Sequence, residues 1–140
     1  MALFIPDEGE LELLDKCLRD ALSVDETFTV GLFQNNIKPM AQAKLSDYIA
    51  KEADFTGYLR VIFSREGWSS ATLVNGIATA EHSHVQTWAC VEGDNLLYGY
   101  FVFGTDSQKL LWVETFSSPR HMVVDDQLSI ILRFSLRGQP

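Results

Sequence analysis

Apolar positions along this chain recur with two different periods, and the change falls near residue 26. Leu11, Leu14, Leu18 and then Ala21 or Leu22 follow one another at three and four, with Leu13 and Cys17 widening the stripe. That is the period of a helix with one apolar face. Acidic residues occupy the opposite face and the first turn, where the positive end of the helix dipole favours them. The pattern predicts an amphipathic helix over residues 9–22, set off from the apolar start by Pro6-Asp7-Glu8-Gly9.

Beyond residue 26 the period falls to two, the spacing of strands with one face inward. Residues 27–34 alternate, with Phe28, Val30 and Leu32 on one face, and Asn35-Asn36 ends the run. Pro39 keeps the next stretch irregular. Residues 46–53 predict one or two helical turns, with Ser46 as the cap, and residues 58–63 read as a β-branched and aromatic strand. The strongest local signal is Asn75-Gly76 between residues 70–74 and 77–82. That dipeptide supplies the positive φ angles of a two-residue type I′ hairpin. Residues 85–90 continue the strand. Residues 96–103 (LLYGYFVF) are almost wholly apolar and predict a central strand covered on both faces. Residues 109–116 return, and Pro119 is expected to stop that strand. Residues 128–136 close the set, with Leu128, Ile130, Leu132, Phe134 and Leu136 inward and Ser129, Ile131, Arg133 and Ser135 outward.

Seven or eight short strands with turn signals about every ten residues predict a mainly β protein. The expected fold is an antiparallel jelly roll or β-sandwich with one N-terminal amphipathic helix. Two parts are expected: an acidic N-terminal arm and helix over residues 1–26, and a single β domain over residues 27–140.

Charge sharpens that division. The 140 residues carry a net charge of −8. Residues 1–26 hold eight acids and two bases, whereas residues 27–140 hold eleven acids and nine bases. An acidic balance argues against phosphate binding, so no nucleic-acid partner is expected. No apolar run approaches the ~18 residues of a membrane helix, so no membrane partner is expected either. The start, Met1 to Ile5, lacks a basic n-region and meets Pro6 at once, and does not read as a secretory signal. Cys17 and Cys90 stand among apolar neighbours without metal-like spacing and read as buried free thiols.

Candidate chemistry centres on Asn75-Gly-Ile-Ala-Thr-Ala-Glu-His-Ser-His84. Two histidines two apart on a strand share a face and could grip one metal. Gly76, five residues and His82-x-His84 match the opening of the metal-binding cupin pattern. The rest of that pattern is missing. Trp88 and Ala89 stand where its glutamate belongs, and Ser118-Pro119-Arg120-His121 lacks the spacing for a third histidine. His82 and His84 are therefore expected on an outward strand face, with Glu81 pointing the other way, as surface or subunit contacts. No nucleophile elbow, Walker loop or dinucleotide fingerprint is present. Gly99 is expected to make room for a neighbouring ring or a bulge. Trp68, Trp88 and Trp112, with Tyr58, Tyr98 and Tyr100, could line a sugar-binding face, but aromatics in strands are mostly core or cross-strand pairs. Catalytic residues: none; cofactor-binding residues: none; metal ligands: none.

The order of features resembles a family of small proteins encoded in tailed-bacteriophage genomes near their capsid genes. The likeness is carried by Met1-Ala-Leu-Phe-Ile-Pro-Asp-Glu-Gly-Glu10 and its leucine-rich helix, by Leu32-Phe-Gln-Asn-Asn36 followed by Pro39, and by Ala53-Asp-Phe-Thr-Gly-Tyr58 followed by Trp68. Its most telling pieces are Leu97-Tyr-Gly-Tyr-Phe-Val102 and Leu110-Leu-Trp-Val-Glu-Thr-Phe116. The resemblance implies a non-enzymatic bacteriophage virion structural protein, foremost a capsid cement or decoration protein that bridges and stabilises major capsid subunits. It implies the major capsid protein as partner, a homo-oligomer with a trimer favoured, and a place in the virion capsid after synthesis in the host cytoplasm. Alternatives are a tail, neck or head-fibre component, a host-surface carbohydrate-binding β module, and a cupin-like metalloenzyme. The family offers no catalytic residue to carry over.

Overall fold

The computed structural model describes residues 27–136 apart from positions 39, 41 and 107, and without the side chain of residue 136. The expected N-terminal arm and helix, with Cys17, lie outside the described residues. Within them the protein is mainly β, with two antiparallel sheets and little helix. The chain divides into two compact units. The larger holds Thr27–Phe63 and Gln86–Ser129; the described part of the smaller holds Ser64–Val85 and the C-terminal stretch from Ile130.

The larger unit is built on a four-stranded sheet in the order β2-β1-β5-β6. Strand β1 (Phe28–Phe33) lies between β2 (Val61–Phe63) and β5 (Asn95–Gly104), and β6 (Leu110–Met122) flanks β5. All six residues of β1 are buried, not one face alone. A central strand shields both of its faces, and Thr29, Gly31 and Phe33 are covered as well as the alternating apolar set. The apolar stretch over 96–103 is central, as its composition predicts, and β5 is buried throughout from Gly99 to Gly104. The strand expected over 58–63 shrinks to Val61–Phe63 because Tyr58 and Arg60 serve a loop network instead.

Strand β6 does not stop at Pro119; it runs on to Met122. Its ladder with β5 pairs Gly99 with Thr115 and Leu97 with Arg120, so residues 116–119 stand opposite Tyr98 alone. This bulge absorbs the proline, which has no N–H to give to a ladder.

Helix α1 (Leu45–Ile49) is capped by Lys44, two residues before the expected cap Ser46. The Lys44 N–H donates to the Asp47 carboxylate at 2.9 Å, the half of a capping box that needs no hydroxyl. Five residues are too few for a helix to persist alone in water. Burial of Leu45 and Tyr48, three apart, holds it down. They join Phe33, Phe101 and Phe103 in a hydrophobic core cluster, with Phe33 edge-on to Tyr48 at 5.1 Å. Each such side chain leaving water contributes about 1.5–3 kcal/mol, more than any single helix hydrogen bond at about 1 kcal/mol.

The smaller unit carries most of a three-stranded sheet in the order β3-β4-β7. Strand β3 (Thr72–Val74) and the start of β4 (Ile77–Ala89) form the expected hairpin, pairing Val74 with Ile77. Asn75 and Gly76 take φ of 51° and 78°, as a type I′ turn requires. In β7 (Gln127–Leu136) Leu128, Ile130 and Leu132 are buried, while Ser129, Ile131, Arg133 and Ser135 are exposed. These positions fall on the predicted faces; Phe134, also expected inward, is half-buried, and the side chain of residue 136 lies outside the described residues.

Candidate functional site

The two histidines part company. His84 is exposed, but His82 is only 4% exposed, which corrects the expected outward pair. His82 follows Ala78 and Ala80 on the buried face of β4, and Trp68 stands edge-on to its ring at 5.3 Å. Gly67 makes the seat possible, because a Cβ there would collide with the imidazole. The ring is held at both nitrogens. The His84 backbone N–H donates to Nδ1 at 3.1 Å, so Nδ1 is an acceptor. Nε2 must then carry the proton and donates to the Ser64 carbonyl at 2.8 Å. The imidazole is thus neutral with its tautomer fixed, and both nitrogens are taken up by partners within the protein. Glu81 does point the other way, as expected, and is bound by Arg133 at 2.6 and 2.9 Å.

Burial first, and the nearby His84 after it, hold the His82 pKa below its usual 6.5; the bond to Ser64 opposes them. The unfolded chain therefore takes up this proton more readily than the folded one. The stability due to neutral His82 is complete above about pH 6.5 and is lost as pH falls through the lower folded value, by up to about 1.4 kcal/mol per unit. Denaturation midpoints measured from pH 7.5 to 5 are expected to decline below 6.5 in the wild type and to decline less in His82→Gln. Equal slopes for the two proteins would contradict this account of the ring.

A polar cluster in the larger unit joins residues that sequence spacing alone does not. Glu52 follows α1 and is largely covered, with its side chain 14% exposed. Arg60 grips its carboxylate with two donors, at 2.8 Å from Nε and 2.7 Å from Nη2. The Tyr58 hydroxyl donates to the same carboxylate and accepts the Leu32 N–H at 3.2 Å. Gln34 reaches the Glu52 carbonyl at 3.0 Å, and the Arg60 guanidinium lies 5.6 Å from the centre of the Phe103 ring. Burial, then the bond to Glu52, keeps the Tyr58 hydroxyl protonated far above its usual range. Such a phenol is neither a base nor a nucleophile at neutral pH. The network fastens the chain after α1 to β1. Tyr58 and Arg60, two apart in extended chain, could be foreseen on one side; their partner Glu52 could not.

Other candidates are likewise part of the frame. Tyr100 and Glu114, opposite one another on β5 and β6, share a hydrogen bond of 2.5 Å. Asn95, 3% exposed, ties a loop to the start of β5. Trp68, Trp88 and Tyr100 are buried, which removes them from any sugar-binding platform; Tyr58, Tyr98 and Trp112 are half-buried. The Trp88 indole N–H donates to the Leu59 carbonyl at 2.8 Å. Cys90 is a buried free thiol, as expected. His121 pairs with Asp94 at the surface. Among the described residues no three His, Cys, Asp or Glu side chains converge on a point where a metal could sit. No protein-family model matches the chain, and no curated protein matches it in sequence.

Proposed function

We propose that this is a non-enzymatic structural protein of a tailed-bacteriophage virion, a capsid cement protein that bridges and stabilises major capsid subunits. One observation carries the reading: the covered polar side chains that could do chemistry, His82, Glu52, Tyr58 and Tyr100, are committed to holding the frame. His82 is engaged at both nitrogens, Glu52 at both oxygens, and Tyr58 and Tyr100 are tied to carboxylates. A protein that only has to hold its shape and present a surface spends its polar groups this way; an enzyme leaves some aimed at a substrate.

The resemblance to phage proteins supports the same reading. Its two most telling segments, 97–102 and 110–116, lie on the neighbouring strands β5 and β6; the first contributes Leu97 and Phe101 to the core, and Leu110 and Val113 of the second pack against it. A jelly roll or β-sandwich, the fold such a protein would use, is assembled from antiparallel sheets, and both sheets are antiparallel. A net charge of −8 suits contact with basic protein surfaces better than contact with DNA. A homo-oligomer, foremost a trimer, would add avidity to modest single contacts.

The test is the copy number in purified virions, read by quantitative mass spectrometry against the major capsid protein. Hundreds of copies tracking the shell are expected. A handful would move the protein to the tail, neck or head fibre, and absence from virions would end the proposal.

A further inference from the structure

Three loops meet at one end of the larger unit. Cys90 and residues 125–126 are joined by two backbone hydrogen bonds, Cys90 N–H to the Asp126 carbonyl and Asp125 N–H to the Cys90 carbonyl, both 2.9 Å. Thr56 is joined to Val91 and Glu92 by two more, both 2.8 Å. Asn95 pairs with Met122 and Leu96 with His121, which brings the start of β5 beside the end of β6.

The surface of this end is unlike a solvated loop cluster. Val91 is 64% exposed, Val124 53%, Leu96 42% and Val123 36%. Leu96 and Val123 adjoin the last pair of the β5–β6 ladder, Asn95 with Met122, and Val91 and Val124 flank the bonds that join Cys90 to Asp125 and Asp126. Exposed apolar side chains gathered in one place and rimmed by polar groups mark protein contact surfaces.

The rim is acidic. Glu92, Asp94 and Asp125 are exposed around the valines, with Asp126 half-buried beside them and His121 paired to Asp94. Their field reaches inward: after burial, Asp126, Asp125 and Asp94 in turn raise the Cys90 thiol above its ordinary range. The backbone is also fixed in advance. Gly57, Gly93 and Asp125 hold φ of 104°, 125° and 72°, and Asn95 pins Asp54 and Phe55 from beneath. A surface already in shape loses little entropy on binding.

We infer that this loop end, Val91, Leu96, Val123 and Val124 within the rim of Glu92, Asp94 and Asp125, is the face that docks onto a basic protein surface with apolar sockets. The inference rests on the cement reading, which makes the capsid shell that surface. The carboxylates steer approach and set the salt dependence, while the valines and the leucine supply the dry centre.

The experiment uses full-length protein and virion shells that lack it. Hydrogen–deuterium exchange on the bound wild type is expected to protect residues 90–96 and 121–126. Glu92→Gln with Asp125→Asn is expected to slow association at low salt by about tenfold and to flatten its salt dependence. Asparagine accepts the left-handed backbone at position 125, so the fold is spared. Val91→Ser with Val124→Ser is expected to lower shell occupancy by at least about tenfold. If the wild type binds while these loops stay unprotected, or both variants bind as the wild type does, the docking face is wrong and the cement reading stands. If the wild type does not bind the shells, the cement reading fails and takes this face with it.

Discussion

Gly99→Ala is expected to lower stability by about 2–3 kcal/mol, through overpacking rather than through strand propensity. In open space the same change would help, since alanine narrows the unfolded ensemble and gains about 0.4–1 kcal/mol. The sign is reversed here by what surrounds the glycine. An added Cβ would collide with the Glu114 carbonyl oxygen on β6 and stand 2.8 Å from Cζ and 2.9 Å from Cε1 of Phe33. Neither neighbour can give way easily. The carbonyl belongs to the backbone of the paired strand, and the Phe33 ring is fully buried against Tyr48. Of a total stability on the order of 5–15 kcal/mol, such a loss is large. Urea titration followed by tryptophan fluorescence would register it as a lower midpoint with an unchanged slope. The double variant Gly99→Ala with Phe33→Leu is expected to cost less than the sum of its parts, because the smaller side chain relieves one of the two collisions. A midpoint for Gly99→Ala at or above the wild type would refute the packing account.

Gly99 also shows how far the sequence could be read. A lone glycine in an apolar strand announces a close approach or a bulge, and the structure places both there: the Phe33 ring against it and the register shift between Leu97 and Gly99. Other local rules succeeded for the same reason, that their physics lies within a few residues. Asn75-Gly76 needs only its own φ angles, and the alternation in β7 needs only a buried side. The almost wholly apolar stretch over 96–103 reads as central because an exposed face would have left more polar positions in it.

What the chain alone did not disclose depends on partners far away in sequence. His82 looked like one of an outward pair because alternation puts His82 and His84 on one face; Trp68, Ser64 and the gap at Gly67 cover the first and leave the second exposed. The short β2 is the price of the Glu52–Tyr58–Arg60 network, which takes Tyr58 and Arg60 out of a strand their composition favours. The continuation of β6 past Pro119 required a four-residue bulge, and a bulge is visible only in the register of the neighbouring strand. The loop end bearing Val91 and Val124 was equally hidden, since residues 54–57, 90–96 and 121–126 are far apart in sequence and meet only through backbone hydrogen bonds and strand pairing.

Asn95 is where frame and surface meet, and its replacement by alanine is expected to cost about 2–4 kcal/mol, from buried donors left without acceptors. Its Oδ1 accepts the Asp54 N–H at 2.9 Å and the Phe55 N–H at 3.2 Å, while Nδ2 donates to the Asp54 carboxylate at 2.9 Å. The two N–H groups fix which end of the amide is oxygen. Phe55 is 3% exposed, so water cannot replace the lost acceptor at its N–H without opening the loop. Asn95→Asp separates the roles of the two ends. The acceptor is kept, but the donor becomes a second carboxylate oxygen facing Asp54. Like charges at that distance disfavour ionisation of both, so the pair holds a proton to higher pH when folded than when unfolded. A raised folded pKa gives stability that is present at low pH and lost as pH rises, so Asn95→Asp should lie closest to the wild type near pH 4 and fall behind towards pH 7. Asn95→Ala should show no such recovery on acidification. Thermal melts of the three proteins at pH 4, 5.5 and 7 measure this directly, and hydrogen–deuterium exchange at residues 54–58 should quicken in Asn95→Ala even where the remainder of the chain stays protected. If Asn95→Asp falls behind equally at all three pH values, the amide nitrogen does not face the Asp54 carboxylate. The loop end would then be held by the two N–H bonds to the Asn95 oxygen and by the backbone bonds of Thr56 and Cys90.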